Sequence, residues 1–114
     1  MKKYQKMCKI LRKHCPLAYP VSIRRLKMVD DGDCTRLDDR FLIRINKRLN
    51  ECEAIDTLMH EWAHARAWSH LHDAMDTEEF IKKSHDAAWG VAYSEVYQCF
   101  ERHYIEGSQC KILP

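Results

Sequence analysis

Two histidines and a glutamate form the pattern His-Glu-x-x-His at His60, Glu61 and His64. On a helix, residues four apart lie on the same face, so both imidazoles can bind one metal ion. Neutral imidazoles suit zinc, which keeps a position open for water and lowers the pKa of that water toward about 7. Glu61 lies one residue further round the helix, where its carboxylate can accept a proton from the zinc-bound water. The pattern therefore predicts a hydrolytic zinc site.

The residues around the motif predict the helix that such a site needs, over about 51–70. Asn50 followed by Glu53 is typical of a capping box at a helix start. No Pro or Gly interrupts the segment. The same motif can also arise on the solvated face of an ordinary core helix, and the helical context favours the metal site. Apolar residues at helical spacing predict the buried face: Ile55, Leu58, Met59, Trp62 and Ala63.

A catalytic zinc ion normally has three protein ligands, so a third must come from outside the motif. The candidates downstream are His85, Glu95, His103, and the pair His70 and His72. If the motif helix continued, the last two would not share the face of the motif histidines. Glu95 follows His85 by ten helical residues and points about 80° away, so the two are not expected to bind one ion together. Spacing alone leaves the choice open.

Composition predicts one globular domain spanning 1–114. The chain has 114 residues, of which 46% are hydrophobic and 32% are charged, as in ordinary globular domains. It contains no run of eighteen apolar residues, so no membrane span is predicted. The basic N-terminus lacks the apolar core of a signal peptide, which makes the cytoplasm the default location. In that location the six cysteines are predicted to be free thiols rather than disulfides, and the absence of a Cys-x-x-Cys pair argues against a zinc ribbon.

Charge is unevenly distributed along the chain. Residues 1–50 carry 14 Lys/Arg and 5 Asp, a net charge of +9, whereas residues 51–114 carry 5 Lys/Arg and 12 Asp/Glu, a net charge of −7. Much of the positive charge lies on a predicted amphipathic helix over 2–14, which Pro16 ends. A basic half of this kind can contact DNA phosphates. The alternative is that these charges only solvate the outer faces of a small domain.

The remaining segments predict a small antiparallel sheet and a closing helix. Residues 21–29 and 40–46 have strand patterns, the first with a change of phase that suggests a bulge or a twist. A third short strand is possible between them, after a turn in which Gly32 can adopt positive φ. A helix is predicted from 76 to about 104, where Gly90 suggests close packing or a break. We expect both Trp62 and Trp89 in the core.

Three stretches together resemble the SprT-like zinc metallopeptidase family, which includes small phage-encoded members. They are Ile43-x-Ile45, the segment from Ile55 to Ala65 with the motif, and His85-x-x-x-Trp-Gly90, so the likeness covers roughly 40–100. The resemblance implies a zincin-like α+β fold in which His60, His64 and His85 bind Zn²⁺ and Glu61 is the general base. It also implies action on DNA-bound and DNA-crosslinked proteins, and the cytoplasm of a phage-infected host cell as a location.

The sequence thus predicts a metallopeptidase that hydrolyses protein or peptide substrates. An extended substrate can pair with an exposed sheet edge, for which we expect the strand over 40–46. The donor that stabilises the oxyanion is left open among Tyr93, Tyr97, His103 and an arginine. The alternative is a non-catalytic, zinc-stabilised interaction or DNA-associated module. Such a site would need a fourth protein ligand, from a cysteine or from His70 or His72.

Overall fold

The computed structural model describes residues 2–68 and 87–105. The described residues form three α-helices and one small sheet, which confirms the predicted α+β class. None of these helices is both long enough and apolar enough to span a membrane. The elements in chain order are α1 (Lys3–His14), β1 (Val21–Leu26), β2 (Gly32–Arg36), β3 (Phe41–Asn46), α2 (Glu51–Arg66), α3 (Ala87–Cys99) and a π-helical turn (Phe100–Ile105).

Helix α1 is amphipathic, as predicted. Its apolar residues at positions i, i+3 and i+7, which are Tyr4, Met7 and Leu11, are buried in the core. Its lysines and arginine lie mostly on the opposite, exposed face. Residues at this spacing share one face of a helix, so a single stripe faces the core while the charges stay in water. The stripe packs in one hydrophobic cluster with α2 and α3.

The sheet differs from the predicted antiparallel meander. Its strand order is β1-β3-β2, with β2 antiparallel to β3 but β1 parallel to β3. The third strand expected between the other two is present as β2, and it forms the hairpin with β3. Chain segment 27–31 must therefore cross the end of β3, which makes β1 parallel to it. The register of β1 on β3 runs without interruption from Val21–Phe41 to Leu26–Asn46, so of the two suggested causes of the phase change, a bulge or a twist, the bulge is excluded.

Asn46 holds the crossing segment in place. Its side chain is buried, and its Nδ2 donates hydrogen bonds to the carbonyls of Met28 at 3.0 Å and Asp30 at 3.1 Å. Its Oδ1 accepts a hydrogen bond from the backbone N–H of Arg48 at 3.0 Å. One side chain thus satisfies three backbone groups at the end of the central strand. Sequence periodicity carries no signal for such a crossing.

Strand β3 is the centre of the sheet. Phe41, Ile43 and Ile45 alternate along it and are fully buried, as the sequence predicted. Because β3 is paired on both sides, the expectation that its edge receives a substrate is wrong. The outer edges of this three-stranded sheet belong to β1 and β2.

Gly32 begins β2, where a glycine is required by close packing rather than by the positive φ that the sequence suggested. No glycine in the described part of the chain has positive φ. A Cβ added to Gly32 would lie 2.6 Å from Thr57 Cγ2 and 2.8 Å from the Arg44 carbonyl oxygen. Both distances are far inside van der Waals contact, so the missing side chain lets β2 approach α2 closely.

Helix α2 begins with the predicted capping box. The Glu53 N–H donates to Asn50 Oδ1 at 2.8 Å, and the Asn50 N–H donates to Glu53 Oε1 at 3.0 Å. Trp62 is buried as expected, and its Nε1 donates to the carbonyl of Cys15 at 2.8 Å. The helix ends at Arg66, four residues before the predicted end, and residues 69 and 70 lie outside the described residues.

The C-terminal helical segment is less regular than predicted. Helix α3 ends at Cys99 and the chain continues as a π-helical turn through Ile105. A Cβ on Gly90 would meet nothing within 4 Å, and α3 passes through this residue, so neither close packing nor a break occurs there. The start of the predicted helix lies outside the described residues. The five described cysteines are free thiols, in agreement with the prediction: Cys8, Cys15, Cys34, Cys52 and Cys99.

Candidate metal centre

Helix α2 brings the two motif histidines together with their ring nitrogens facing each other. The Nε2 atoms of His60 and His64 are 3.2 Å apart, and the ring centroids are 4.9 Å apart with an interplanar angle of 72°. Two imidazole nitrogens bound to tetrahedral zinc at about 2.0–2.1 Å lie roughly 3.3–3.4 Å from each other. The spacing of these two nitrogens therefore fits two zinc ligands.

Glu61 is buried next to this pair and is not held by other side chains. Its relative exposure is 8%, and its carboxylate makes no hydrogen bond or ion pair with the described residues. Burial and, to a smaller extent, the negative charge of Asp33 together raise the pKa of Glu61 to about 7. A buried carboxylate without a partner is unusual, because burial of a charge normally requires compensation. Such groups mark candidate functional sites.

A cleft of about 330 Å³ opens onto these residues. It lies between the start of β2, helix α2 and helix α3. Asp31 and Asp56 add two carboxylates near the motif, while Gly32 adds only backbone. The full lining is Asp31, Gly32, Asp56, Thr57, His60, Glu61 and Tyr93. His60 and Glu61 are therefore open to a ligand rather than sealed in the core.

Trp89 on α3 covers the histidine pair. Its ring centroid lies 5.0 Å from that of His60 and 5.6 Å from that of His64. Its Nε1 donates to the His60 carbonyl at 3.4 Å. The prediction of a core tryptophan is confirmed for Trp62, whereas Trp89 is half-buried and packs against the edge of the core cluster. Trp89 instead orients the two imidazoles and shields one side of them.

The described residues place no third candidate ligand beside His60 and His64. His85, His70 and His72 all lie outside them, so the structure does not test these three candidates. Within residues 2–68 and 87–105, no group of three or more His, Cys, Asp or Glu side chains is arranged to hold a metal ion. A zinc ion on the motif pair would need its third protein ligand from outside the described residues.

The two described candidates for the third ligand are occupied elsewhere. Glu95 accepts a hydrogen bond from Arg66 Nε at 3.1 Å, in a partly exposed ion pair. His103 stacks on His14, with ring centroids 3.6 Å apart and an interplanar angle of 6°. Neither residue joins His60 and His64 in this structure.

Tyr93 is the only one of the three named oxyanion-donor candidates that lines the cleft. Burial and the nearby charge of Asp56 raise the pKa of its hydroxyl, so this group keeps its proton at neutral pH. Its ring lies 5.1 Å from that of Trp89. A protonated phenol at this place can donate a hydrogen bond to a bound oxygen atom.

Sequence reasoning missed several cleft residues. Asp56 precedes His60 by four residues, so helical spacing alone could have placed it on the motif face. Asp31 and Asp33 gave no such signal, because their position depends on the strand crossing. Asp33 also forms a bidentate ion pair with Arg44 across the hairpin. Its charge raises the pKa of both Glu61 and the Cys34 thiol, although burial is the larger cause for each.

Comparison with known proteins adds no further constraint. No protein-family model, no curated protein and no solved structure matches this chain. The site must therefore be interpreted from its own geometry and from the motif resemblance described above.

Proposed function

We propose that the protein is a zinc-dependent metallopeptidase with a zincin-like, SprT-like active site. The single observation that carries this proposal is the spacing of 3.2 Å between the Nε2 atoms of His60 and His64, beside the buried carboxylate of Glu61. In this proposal the two motif histidines bind Zn²⁺ together with His85. The assignment of His85 depends on the family resemblance and on the occupation of Glu95 and His103 by other partners.

In the proposed reaction, each residue of the site has a separate role in hydrolysis. Zinc, when bound, supplies the Lewis acid that polarises the scissile carbonyl and activates water. Glu61 accepts a proton from water and passes it to the leaving amine, a role suited by a carboxylate whose pKa is raised to about 7. Tyr93 donates a hydrogen bond to the oxygen that becomes negative in the transition state. Trp89 excludes water from one side of the imidazoles.

We further propose that an extended substrate binds along β2. This strand is at the edge of the sheet, and Asp31 and Gly32 at its start line the cleft. A peptide that pairs with this edge gains main-chain hydrogen bonds in addition to its contacts in the cleft. The small size of Gly32 keeps β2 close to α2, and therefore keeps the bound chain close to Glu61.

DNA-associated proteins are the proposed class of substrate, and the exposed face of α1 is the proposed DNA contact. The basic residues along this face lie on the side opposite to the buried stripe. Binding through phosphates alone would fall steeply as salt rises. Binding of duplex DNA that does not change with salt would contradict this part of the proposal. The free thiols of the described residues suit the cytoplasm, which is the location we propose.

Metal content and hydrolysis together test the proposal. Elemental analysis after dialysis should find one zinc per chain in the wild type and in Glu95→Ala, and less in His85→Ala. The zinc-loaded wild type should cleave an unfolded protein such as casein, and Glu61→Gln should not. Zinc that persists without any hydrolysis, in wild type and variant alike, would instead support the non-catalytic, zinc-stabilised module. A wild type that binds no metal after reloading would refute both.

A further inference from the structure

Two aspartates, Asp31 and Asp56, line the cleft of the candidate metal centre together with His60 and Glu61. Both aspartate side chains are exposed, so a ligand in the cleft can reach their carboxylates. Neither carboxylate makes a hydrogen bond or an ion pair with another described residue. None of the described residues that line the cleft is a lysine or an arginine. The lining thus carries negative charge that no described cation of the cleft balances.

The packing of β2 on α2 brings these two aspartates together. Asp31 immediately precedes Gly32, and Asp56 immediately precedes Thr57. Gly32 approaches Thr57 so closely that an added Cβ would lie 2.6 Å from Thr57 Cγ2. The backbone N–H of Asn46 donates to the Asp31 carbonyl at 2.7 Å, which holds the start of β2 in this position. Both carboxylates are therefore attached to backbone that the fold holds in place.

The aspartates lie beside the proposed metal position rather than at it. Asp56 precedes His60 by four residues, so it lies about one turn of α2, roughly 5.4 Å, on the side away from His64. Its charge is close enough to Tyr93 to raise the pKa of the hydroxyl there, although burial is the larger cause. Among the described residues, Asp31, Asp56 and His60 do not form a group that could hold a metal ion. The position of the two aspartates therefore suits contact with a substrate next to the reacting bond.

Glu61 is an independent indication that a ligand occupies this cleft. Its side chain is only 8% exposed and has no partner among the described residues, yet it lines the same open volume. Unpaired buried carboxylates are typical of functional sites. Exposed carboxylates beside such a site attract a positively charged ligand and disfavour a negative one. In a peptide, the positive side chains are those of lysine and arginine, whose several N–H donors can bind two carboxylates at once.

We propose that Asp31 and Asp56 select substrates that have a lysine or arginine within two residues of the scissile bond. This inference rests on the proposed peptidase function and on the proposed alignment of the substrate along β2. An extended chain advances about 3.3 Å per residue, so one helical turn corresponds to about two substrate residues. Because both carboxylates are exposed, the preference should weaken as salt screens their charges.

Three short fluorescein-labelled peptides test the preference by binding. They consist of alanine, leucine and glycine, with lysines, glutamines or glutamates at the same positions. Anisotropy titrations use zinc-loaded Glu61→Gln, which should bind the peptides without cleaving them. We expect the lysine peptide to bind about tenfold more tightly than the glutamine peptide, as two exposed ion pairs allow. The glutamate peptide should bind most weakly, although the net charge of the chain, +2, would attract it.

Variants of the two aspartates, made in the same Glu61→Gln chain, assign the preference to the cleft. Asp31→Asn and Asp56→Asn should each reduce the preference for the lysine peptide about threefold. Asp56→Lys should shift binding toward the glutamate peptide, a gain that misfolding cannot produce. Asp38→Asn is the matched control, because it removes the same charge from an exposed residue at the other end of β2. It should keep the full preference.

Cleavage of the three peptides by the zinc-loaded wild type separates this inference from the proposed function. The values of kcat/KM should follow the order of binding. Equal binding of the lysine and glutamine peptides would overturn the inference, and the peptidase function would stand if both were cleaved. A preference that persists in both asparagine variants would also overturn it, because the charges responsible would lie outside the cleft. A preference that these variants remove, without any cleavage by the wild type, would support the charge selection and refute the peptidase function.

Discussion

Asn46 and Glu61 are the two buried polar residues in the described part of the chain, and they are opposite cases. The Asn46 side chain makes hydrogen bonds to three backbone groups where the loop crosses the end of β3. The Glu61 carboxylate has no partner among the described residues, and it faces an open cleft. The two side chains are therefore buried to a similar degree, but only that of Asn46 has hydrogen bonds that offset its loss of contact with water.

The difference separates a structural role from a chemical one. A buried polar group that is fully hydrogen-bonded stabilises one arrangement of the chain around it. A buried carboxylate without partners makes the folded state less stable, and such a group is kept where it does chemistry. Substitution of Asn46 should therefore reduce stability, and substitution of Glu61 should reduce activity. The variants below test this contrast, from the largest expected effect to the smallest.

Glu61→Gln should have the largest effect, and it should be on hydrolysis alone. Loss of a general base typically lowers the rate by about 100-fold to 10,000-fold. The free energy of unfolding should stay the same or increase, because a buried ionisable group is replaced by a neutral one. Turnover of a fluorogenic protein substrate and urea denaturation measure the two effects. Glu53→Gln is the control, since an amide can keep the capping hydrogen bond and this residue lies outside the cleft.

The opposite result for Glu61→Gln would contradict the contrast between Glu61 and Asn46. If Glu61→Gln unfolded more easily than the wild type while hydrolysis persisted, Glu61 would belong with Asn46 as a structural residue. The proposed general base would then have to be sought elsewhere.

Asn46→Leu should be the most destabilising change in the sheet. It leaves the carbonyls of Met28 and Asp30 and the N–H of Arg48 without their partner, so we expect a loss of about 3 kcal/mol in the free energy of unfolding. Equilibrium urea denaturation measures it. Asn50→Ala, which removes only the exposed helix cap, is the matched control and should lose about 1 kcal/mol. An equal loss in the two variants would show that the crossing segment does not depend on Asn46.

Gly32→Ala and Gly90→Ala form a pair with opposite signs. The new methyl at Gly32 must displace Thr57 Cγ2 or the Arg44 carbonyl, so we expect a loss of about 1–3 kcal/mol. The same change at Gly90 meets open space on a helix and should stabilise the protein by up to about 1 kcal/mol. Thermal denaturation of both variants checks this. Because the Arg44 carbonyl is backbone, adding Thr57→Ser should restore only part of the loss at Gly32.

The features that the sequence could predict are those that depend on neighbouring residues. The cap at Asn50, the buried stripe of α1 and the alternation along β3 follow from local periodicity and side-chain chemistry, and all three are confirmed. The facing of His60 and His64 follows from helical spacing in the same way. Each of these features depends on residues within a few positions of each other.

Features that depend on distant segments could not be predicted. The parallel pairing of β1 with β3 results from the crossing at residues 27–31, which the Asn46 side chain stabilises from another strand. The place of Gly32 against Thr57 and the partner of Glu95 likewise depend on how elements pack. For this reason the sequence could suggest a positive φ for Gly32, which the residue does not adopt, and could not show that Trp89 packs only partly buried against the core.

The smallest expected effect is that of Glu95→Gln, and it decides between two roles for this residue. Its ion pair with Arg66 is partly exposed, so its loss should change the free energy of unfolding by less than about 1 kcal/mol. Zinc content after dialysis should not change, because Glu95 is held away from the histidine pair. Loss of zinc in Glu95→Gln, with His85→Ala retaining it, would make Glu95 the third ligand. The ion pair with Arg66 would then have to break whenever the metal binds.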